Sequence, residues 1–163
     1  MSGITEDWAL LRRVEQFIFH EARLQDTPDY AAWEQLWADD GVYWLPANGD
    51  DIDPEAQMSI VYDNRSRINL RVRQLLTGKR HTQEPASRIR HMVTNVEIMG
   101  ETEGAQDVGC IVLVYEPSMR GETLWAARTD YRLRPTGDSF LMVRKKVALV
   151  NNDKPLFTLS FLI

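Results

Sequence analysis

The chain has 163 residues, 44% of them hydrophobic and 26% charged, so it can bury a core and is not disordered throughout. Its formal net charge of −5 argues against a general nucleic-acid binder. The single cysteine, Cys110, excludes an intrachain disulfide and fits a reducing cytoplasm. The N-terminus shows no basic stretch followed by an apolar one, so we expect no signal peptide. The longest apolar run, 110–115, is far shorter than the roughly 20 residues of a membrane helix.

The first third of the chain has helical periodicity. Apolar residues recur every three or four positions after Thr5, which predicts an amphipathic helix with Thr5 as its N-cap. A shorter second helix is expected from about Asp29 and should end at 39–41. The predicted apolar stripes are Trp8, Leu11, Val14, Phe17, Ile18 and Ala22 in the first helix and Tyr30, Trp33, Leu36 and Trp37 in the second.

The middle of the chain predicts two short strands and a third helix. The strands are expected at 42–45 and 59–62, with an acidic loop at 48–55 between them. Asp63 or Asn64 would then cap a helix that carries four arginines on its exposed sides. Its predicted buried residues are Ile68, Val72, Leu75 and Leu76, with Gly78 just past its end.

The second half of the chain has the two-residue period of β-strands. Short connections between these strands favour antiparallel pairing. Lys145 interrupts the apolar phase of the last strand, and the phase of the first strand shifts near Thr94 and Asn95. Such a shift predicts a β-bulge, which would bend the sheet. The strands are expected near 87–99, 108–119, 122–134 and 139–150.

Helices followed by long antiparallel strands predict an α+β fold in a single domain, residues 1–163. A strongly bent sheet that wraps around the helices would form a cystatin-like cone. By analogy, this is the shape that ketosteroid isomerase and scytalone dehydratase use.

Metal and nucleophile chemistry find little support in the sequence. A Rieske cluster needs two Cys and two His, and a mononuclear iron site needs two converging His. The three histidines, His20, His81 and His91, show no ligand spacing, and His81 adjoins two basic residues. Cys110 stands in an apolar run and is expected to be a buried small hydrophobe.

General acid–base catalysis needs only one titratable group in an apolar cavity. His91, Asp63, Asp130 and Tyr43 are therefore candidates, and each has a structural alternative. Asp63 could cap a helix, Asp130 could pair with an arginine, and Tyr43 could close the core. His91, on an apolar phase, could be a hydrogen-bonded histidine of the core or of an interface.

The segment 84–96 concentrates polar residues that suggest either an active site or a binding surface. On a strand, Arg88, Arg90 and Met92 share one face, and His91 lies on the other. Arginine is enriched in interfaces because its planar fork binds carboxylates with two hydrogen bonds. Two arginines that meet acidic residues on another chain would explain the segment without catalysis.

Five segments occur in a specific order: Tyr43-Trp44-Leu45-Pro46, 60–64, 71–78, 84–96 and 156–162. Through them the chain resembles the small (β) subunit of aromatic-ring-hydroxylating dioxygenases over nearly its whole length. The departures from the family pattern are small and lie at Ile89, Met92 and Thr94.

The resemblance implies the cone fold and a β trimer that supports three α subunits. The α subunit would carry the Rieske [2Fe–2S] cluster and the mononuclear Fe(II), so no cofactor is expected in this chain. The holoenzyme would convert an aromatic compound to a cis-dihydrodiol with O₂. Its electrons would come from NAD(P)H through a reductase and often a ferredoxin.

We therefore expect a non-catalytic assembly subunit in the cytoplasm. The alternative is a stand-alone cone-fold isomerase or dehydratase with His91 or an Asp as base, marked by a ligand-sized cavity around a buried titratable group. A binding module without a catalytic partner is a third possibility. The residues expected at subunit interfaces are Tyr43, Trp44, Arg88, Arg90, His91, Leu156, Phe157 and Phe161, within an apolar segment at 156–163.

Overall fold

The structure is a computed structural model that describes residues 7–77, 88–119, 121–156, 159 and 161–163. The described part of the chain contains three helices and six strands. The helices are α1 (Trp8–Asp26), α2 (Tyr30–Glu34) and α3 (Arg65–Leu76). The strands are β1 (Trp37–Pro46), β2 (Ser59–Asp63), β3 (Arg90–Thr102), β4 (Ala105–Ser118), β5 (Gly121–Thr136) and β6 (Ser139–Leu149).

All six strands form one mixed sheet in the order β2-β1-β6-β5-β4-β3. The expected antiparallel pairing of the four long strands is confirmed. The parallel pairing of β1 with β6 has no local signal in the sequence, because it joins distant parts of the chain. One face of the sheet, the inner face, packs against the helices, and we call the opposite face the outer face. The α+β fold predicted from the sequence is confirmed.

The predicted β-bulge in β3 is confirmed. Its register with β4 shifts between Thr94 and Glu97, which pair with Ile111 and Gly109. Asn95 adopts a left-handed backbone with φ 56° inside the bulge. Asparagine adopts this conformation more readily than most residues, and a bulge increases the local bend of a strand. The bulge therefore helps to curve the sheet around the helices.

The predicted end of the second helix is wrong. Helix α2 stops at Glu34, and Trp37 already belongs to β1, where it pairs with Met142 of β6. The backbone N–H of Met142 also donates to the carbonyl of Leu36 at 2.7 Å. A long-range strand pairing thus overrides the helical pattern, and residues 39–41 lie within the strand instead of ending the helix.

The start of the first helix also differs from the sequence prediction. Asp7, not Thr5, is the N-cap of α1, and its carboxylate accepts a hydrogen bond from the backbone N–H of Leu10 at 2.9 Å. Thr5 lies outside the described residues. Trp8, expected in the buried stripe, is 69% exposed because it occupies the first turn, beyond the edge of the core.

Helix α3 begins as expected, with Asn64 as its N-cap. Ile68 and Val72 form its buried side, whereas Leu76 in the last turn is exposed. Gly78, the expected end of this helix, lies outside the described residues.

The core fills the space between the helices and the inner face of the sheet. Its centre is an aromatic cluster in which the ring of Trp33 meets those of Trp37 and Tyr43 edge-on at 5.7 and 5.8 Å. Phe161 and Ile163 are buried in the same hydrophobic core, where the ring of Phe161 meets that of Trp125 at 5.9 Å. Among the described residues, no helix is long and apolar enough to cross a membrane.

Candidate functional site

The interior of the cone contains a buried ion pair. The carboxylate of Glu21 in α1 accepts hydrogen bonds from Trp33 Nε1 at 2.7 Å, Tyr131 Oη at 2.6 Å and Lys145 Nζ at 2.6 Å. Burial by itself raises the pKa of Glu21, but the charge of Lys145 and the three donors lower that pKa below its ordinary value overall. The ion pair with Glu21 explains why Lys145, a charged residue, is tolerated on the apolar phase of β6.

Tyr43 is not available as a catalytic acid or base. Its hydroxyl donates to the carbonyl of Ile163 at 2.7 Å and accepts from the backbone N–H of the same residue at 3.2 Å. Burial raises the pKa of Tyr43. Cys110, also buried on the inner face, has a thiol pKa raised by burial to about 12. Both side chains are structural parts of the core.

His91 is hydrogen-bonded on both ring nitrogens. Its Nδ1 lies 2.6 Å from Asp26 Oδ1, and its Nε2 lies 3.1 Å from the carbonyl oxygen of Leu162. The backbone N–H of His91 donates to the same carboxylate at 3.0 Å. The imidazole therefore joins the end of α1 to the segment around residue 162, and both nitrogens are engaged in that role.

The two aspartate candidates also have partners. Asp63 accepts a hydrogen bond from Arg71 Nε at 2.6 Å and does not cap α3. Asp130 lies on the outer face, 3.3 Å from Arg128 Nε, as the sequence suggested. Strand register places Tyr43 opposite Asp63, but each is bound to another part of the chain, and His91 and Asp130 lie on other strands.

One half of the outer face is apolar and exposed. Met92 of β3, Tyr115 of β4 and Leu124 of β5 are 46%, 36% and 60% exposed. Strand register places Tyr115 opposite Leu124, and Met92 opposite the half-buried Leu113. We call Met92, Leu113, Tyr115, Leu124 and Ala126 the apolar patch. Contiguous exposed apolar surface of this kind marks binding surfaces in soluble proteins.

The other half of the outer face is a charged groove. A cavity of about 230 Å³ lies there, open to solvent. Its charged lining residues are three cations and two carboxylates from β4, β5 and β6. They are Arg132, Arg144, Lys146, Asp107 and Asp130.

The residues expected at interfaces differ in their exposure. Arg88 and Arg90 are exposed. Strand register places Arg90 opposite Tyr115, a residue of the apolar patch. Leu156 is half-buried, and Phe157 lies outside the described residues. Four others are buried within the chain: Tyr43, Trp44, His91 and Phe161.

Sequence reasoning missed the apolar patch, although the sequence contains a signal for it. The run 110–115 is apolar on both strand phases. Strands that are covered on both faces have continuous runs of apolar residues of this kind. The inner phase of this run fills the core, so its outer phase, which includes Leu113 and Tyr115, predicts a second covering layer.

No group of three or more His, Cys, Asp or Glu side chains within the described ranges could hold a metal ion. The fold and the site together define a class: an α+β cone with its interior occupied by its own side chains and an outer face that is apolar in one half. The same fold is found in a structure described as a scytalone dehydratase from Novosphingobium aromaticivorans, with a TM-score of 0.67 over 87% of this chain and 85% of that one at 12% identity. The cone fold expected from the sequence is confirmed.

Residues 20–153 match the family model "Ring hydroxylating beta subunit". The small subunit of anthranilate 1,2-dioxygenase from Acinetobacter baylyi is 32% identical over 91% of this chain and 93% of its own. The crystal structure of the β subunit of benzoate 1,2-dioxygenase from Burkholderia mallei superposes with a TM-score of 0.74 at 26% identity, over 91% of this chain and 94% of that one. The chain belongs to the β-subunit family of the ring-hydroxylating dioxygenases, in which the β subunit is the non-catalytic part of the holoenzyme.

Proposed function

We propose that this chain holds the α subunits of a ring-hydroxylating dioxygenase in register through the outer face of its sheet. The observation that carries the proposal is the apolar patch, on the side of the sheet that the helices leave uncovered. Exposed apolar area of this kind is unfavourable in water, and burying it stabilises an assembly by roughly 25 cal/mol per Å² of apolar surface. The patch is therefore suited to contact with another chain.

Arg88 and Arg90 fit the edge of such a contact. The side chain of Arg90 is 71% exposed, and its nearest carboxylate, Asp26, is 3.9 Å away. An arginine with so loose a partner can bind a carboxylate of another chain with two hydrogen bonds. The exposed cations beside an apolar centre match the usual arrangement of an interface with a polar rim.

The assembly that we propose contains three β and three α subunits, with a trimer of β chains as its support. The α subunit would supply the Rieske [2Fe–2S] cluster and the mononuclear Fe(II), and the holoenzyme would form a cis-dihydrodiol from an aromatic compound and O₂. Electrons would come from NAD(P)H through a reductase and often a ferredoxin, and the enzyme would act in the cytoplasm. This chain would act as a single domain, residues 1–163, and one continuous hydrophobic core supports that proposal.

Native mass spectrometry of this chain, alone and co-produced with the α subunit of its own enzyme, tests the proposal. We expect a complex with equal numbers of both chains, and iron only in the α subunit. A β chain that stays monomeric beside a folded α subunit would refute the assembly role. Stoichiometric iron in the isolated β chain would refute the division of chemistry.

Substitution of the two arginines tests the position of the contact. Arg88→Ala and Arg90→Ala should weaken assembly, whereas turnover per assembled complex should stay unchanged. Arg12→Ala, at an exposed site on α1, is the control. Variants that assemble normally and still lose turnover would point to a catalytic role for the segment instead.

A further inference from the structure

The charged groove on the outer face contains two cations without a close carboxylate partner. Arg132 Nε donates to Asp107 Oδ1 at 2.8 Å, and Arg128 Nε lies 3.3 Å from Asp130 Oδ1, so these two arginines are paired. Among the described residues, none accepts a hydrogen bond from Arg144. Lys146 Nζ is 3.8 Å from Asp51, a side chain that is fully exposed.

Trp44 holds both of these cations in position. Arg144 interacts with Asp107 through charge without a hydrogen bond, and Lys146 has only its 3.8 Å ion pair with the exposed Asp51. The guanidinium of Arg144 lies 5.4 Å from the centre of the indole, and Lys146 Nζ lies 4.8 Å from it. Trp44 itself is buried and fixed by a hydrogen bond from its Nε1 to Ser59 Oγ at 2.9 Å. Cation–π contacts of this kind orient a charge without neutralising it. The two cations are thus preorganised, and their charge is available to another group.

The balance of charge in the groove favours an anion. Three cations and two carboxylates line the cavity, although the whole chain carries −5. Arg144 and Lys146 are both partly buried, and a partly desolvated cation gains more from a carboxylate partner than an exposed one does. The planar fork of Arg144 matches the two oxygens of a carboxylate.

The groove also continues the surface that we propose for assembly. Strand register places Asp130 opposite Lys146, and Arg132 opposite Arg144. These residues lie on the same face of β5 as Leu124, further along the strand. A partner that covers the apolar patch therefore extends naturally over the groove.

We propose that Arg144 and Lys146 bind the carboxylate of an aspartate or glutamate side chain on the α subunit of the dioxygenase assembly. This inference rests on the proposed function and adds to it the chemistry of the partner segment. The carboxylate would enter the cavity of about 230 Å³ and accept hydrogen bonds from both cations. Burial of the apolar half of the outer face would make the contact favourable. The charged half would fix how the partner chain is positioned on the sheet.

The test compares double charge reversals in the full chain, co-produced with its α subunit. Arg144→Glu with Lys146→Glu should weaken assembly at least about tenfold, because a partner carboxylate would then meet two like charges. Arg12→Glu with Arg73→Glu makes the same change in net charge on the helices and should assemble like the wild type. Arg144→Gln with Lys146→Gln should give a smaller loss and a weaker dependence of assembly on salt.

Thermal melts by circular dichroism establish that each variant is folded. If Arg144→Glu with Lys146→Glu does not fold, Arg144→Gln with Lys146→Gln is used for the comparison instead. Normal assembly of folded groove variants, with wild-type salt dependence, would overturn the inference. A wild-type chain that never assembles would instead refute the proposed function. The two failures are therefore distinguishable.

Two further arms separate other occupants of the groove. Asp51→Asn removes the nearest carboxylate of the chain itself and should leave assembly unchanged or tighter. Loss of assembly in this variant would show that the acidic loop, not the groove, meets the partner.

Sodium acetate should compete with assembly more strongly than sodium chloride at equal ionic strength. Acetate that binds the groove in NMR titrations without weakening assembly would identify a small-anion site and overturn the inference.

Discussion

Glu21 and Lys145, 124 positions apart in the chain, form an ion pair of 2.6 Å that is almost completely buried. The pair joins the first helix to the last strand across the interior of the cone. That interior is occupied by a charged network with hydrogen bonds from two aromatic residues, Trp33 and Tyr131. The charged groups of the interior therefore stabilise the fold, which agrees with the non-catalytic role of the family.

The substitution Lys145→Met should destabilise the chain by about 3–5 kcal/mol, because it leaves the carboxylate of Glu21 buried without its cation. The double variant Glu21→Gln with Lys145→Met should recover part of that loss. Urea unfolding at pH 7 measures both free energies of unfolding. Equal stabilities of the wild type and Lys145→Met would show that the pair contributes nothing to the fold.

Stability should fall on acidification below about pH 4.5, the ordinary pKa of a glutamate. Burial raises the pKa of Glu21, but Lys145 and the hydrogen-bond donors lower it overall, so the folded chain binds this proton less readily than the unfolded one. The stabilisation is therefore complete above the unfolded pKa and is lost as the pH falls through the lower, folded value.

The pKa of Asp107 changes in the same direction, since hydrogen bonds from Thr102 and Arg132 outweigh its partial burial. Unfolding free energies measured between pH 7 and 3 check this prediction. The variant Glu21→Gln should show a shallower decline with pH than the wild type. An identical slope in both proteins would contradict the assigned role of Glu21.

The substitution Tyr43→Phe should cost about 1–2 kcal/mol, because two hydrogen bonds to Ile163 are lost while the ring still packs against Trp33. Amide hydrogen exchange of Leu162 and Ile163 should become faster. Tyr62→Phe is a matched control with a tyrosine whose hydroxyl bonds Glu55 at an exposed position, and it should change stability by less than about 0.5 kcal/mol. Equal effects of both variants would show that the contact with Ile163 is unimportant.

The substitution Leu124→Glu should prevent or strongly weaken assembly while the fold of the chain is retained, because the side chain is exposed in the apolar patch. Leu70→Glu introduces the same change at a similarly exposed site on α3 and serves as the control. Size-exclusion chromatography with light scattering, together with thermal melts, measures assembly and folding separately. Normal assembly of Leu124→Glu would remove the patch from the interface.

Cys110 should resist alkylation in the folded chain at pH 8, because burial excludes the reagent and raises the thiol pKa to about 12. Iodoacetamide labelling followed by mass spectrometry should give modification only after denaturation. Rapid labelling of the native chain would show that the inner face of β4 opens to solvent.

Much of the fold could be predicted from periodicity. The change from helical to strand period, the antiparallel pairing of the long strands and the bulge at Asn95 depend on residues close together in the chain. Turn chemistry and side-chain alternation suffice to specify such features. The ordered motifs likewise sufficed to predict the family.

The candidate site was less predictable. The sequence marked His91 and Tyr43 as chemically notable, but their partners, Leu162 and Ile163, are 71 and 120 positions away. Whether such a side chain is engaged or free depends on contacts that no local pattern encodes. The apolar patch was missed for a related reason: its members come from three strands and become one surface only through strand register.

The class of fold, the position of the bend and the family of the chain could thus be predicted, because local period and motif order depend on neighbouring residues. Two features could not: Trp37 leaves the helix to pair with Met142, and Lys145 lies in the core. Both outcomes depend on a partner distant in the chain, Met142 for the strand and Glu21 for the charge. The free energy of those contacts exceeds the local preference that would have placed each residue elsewhere.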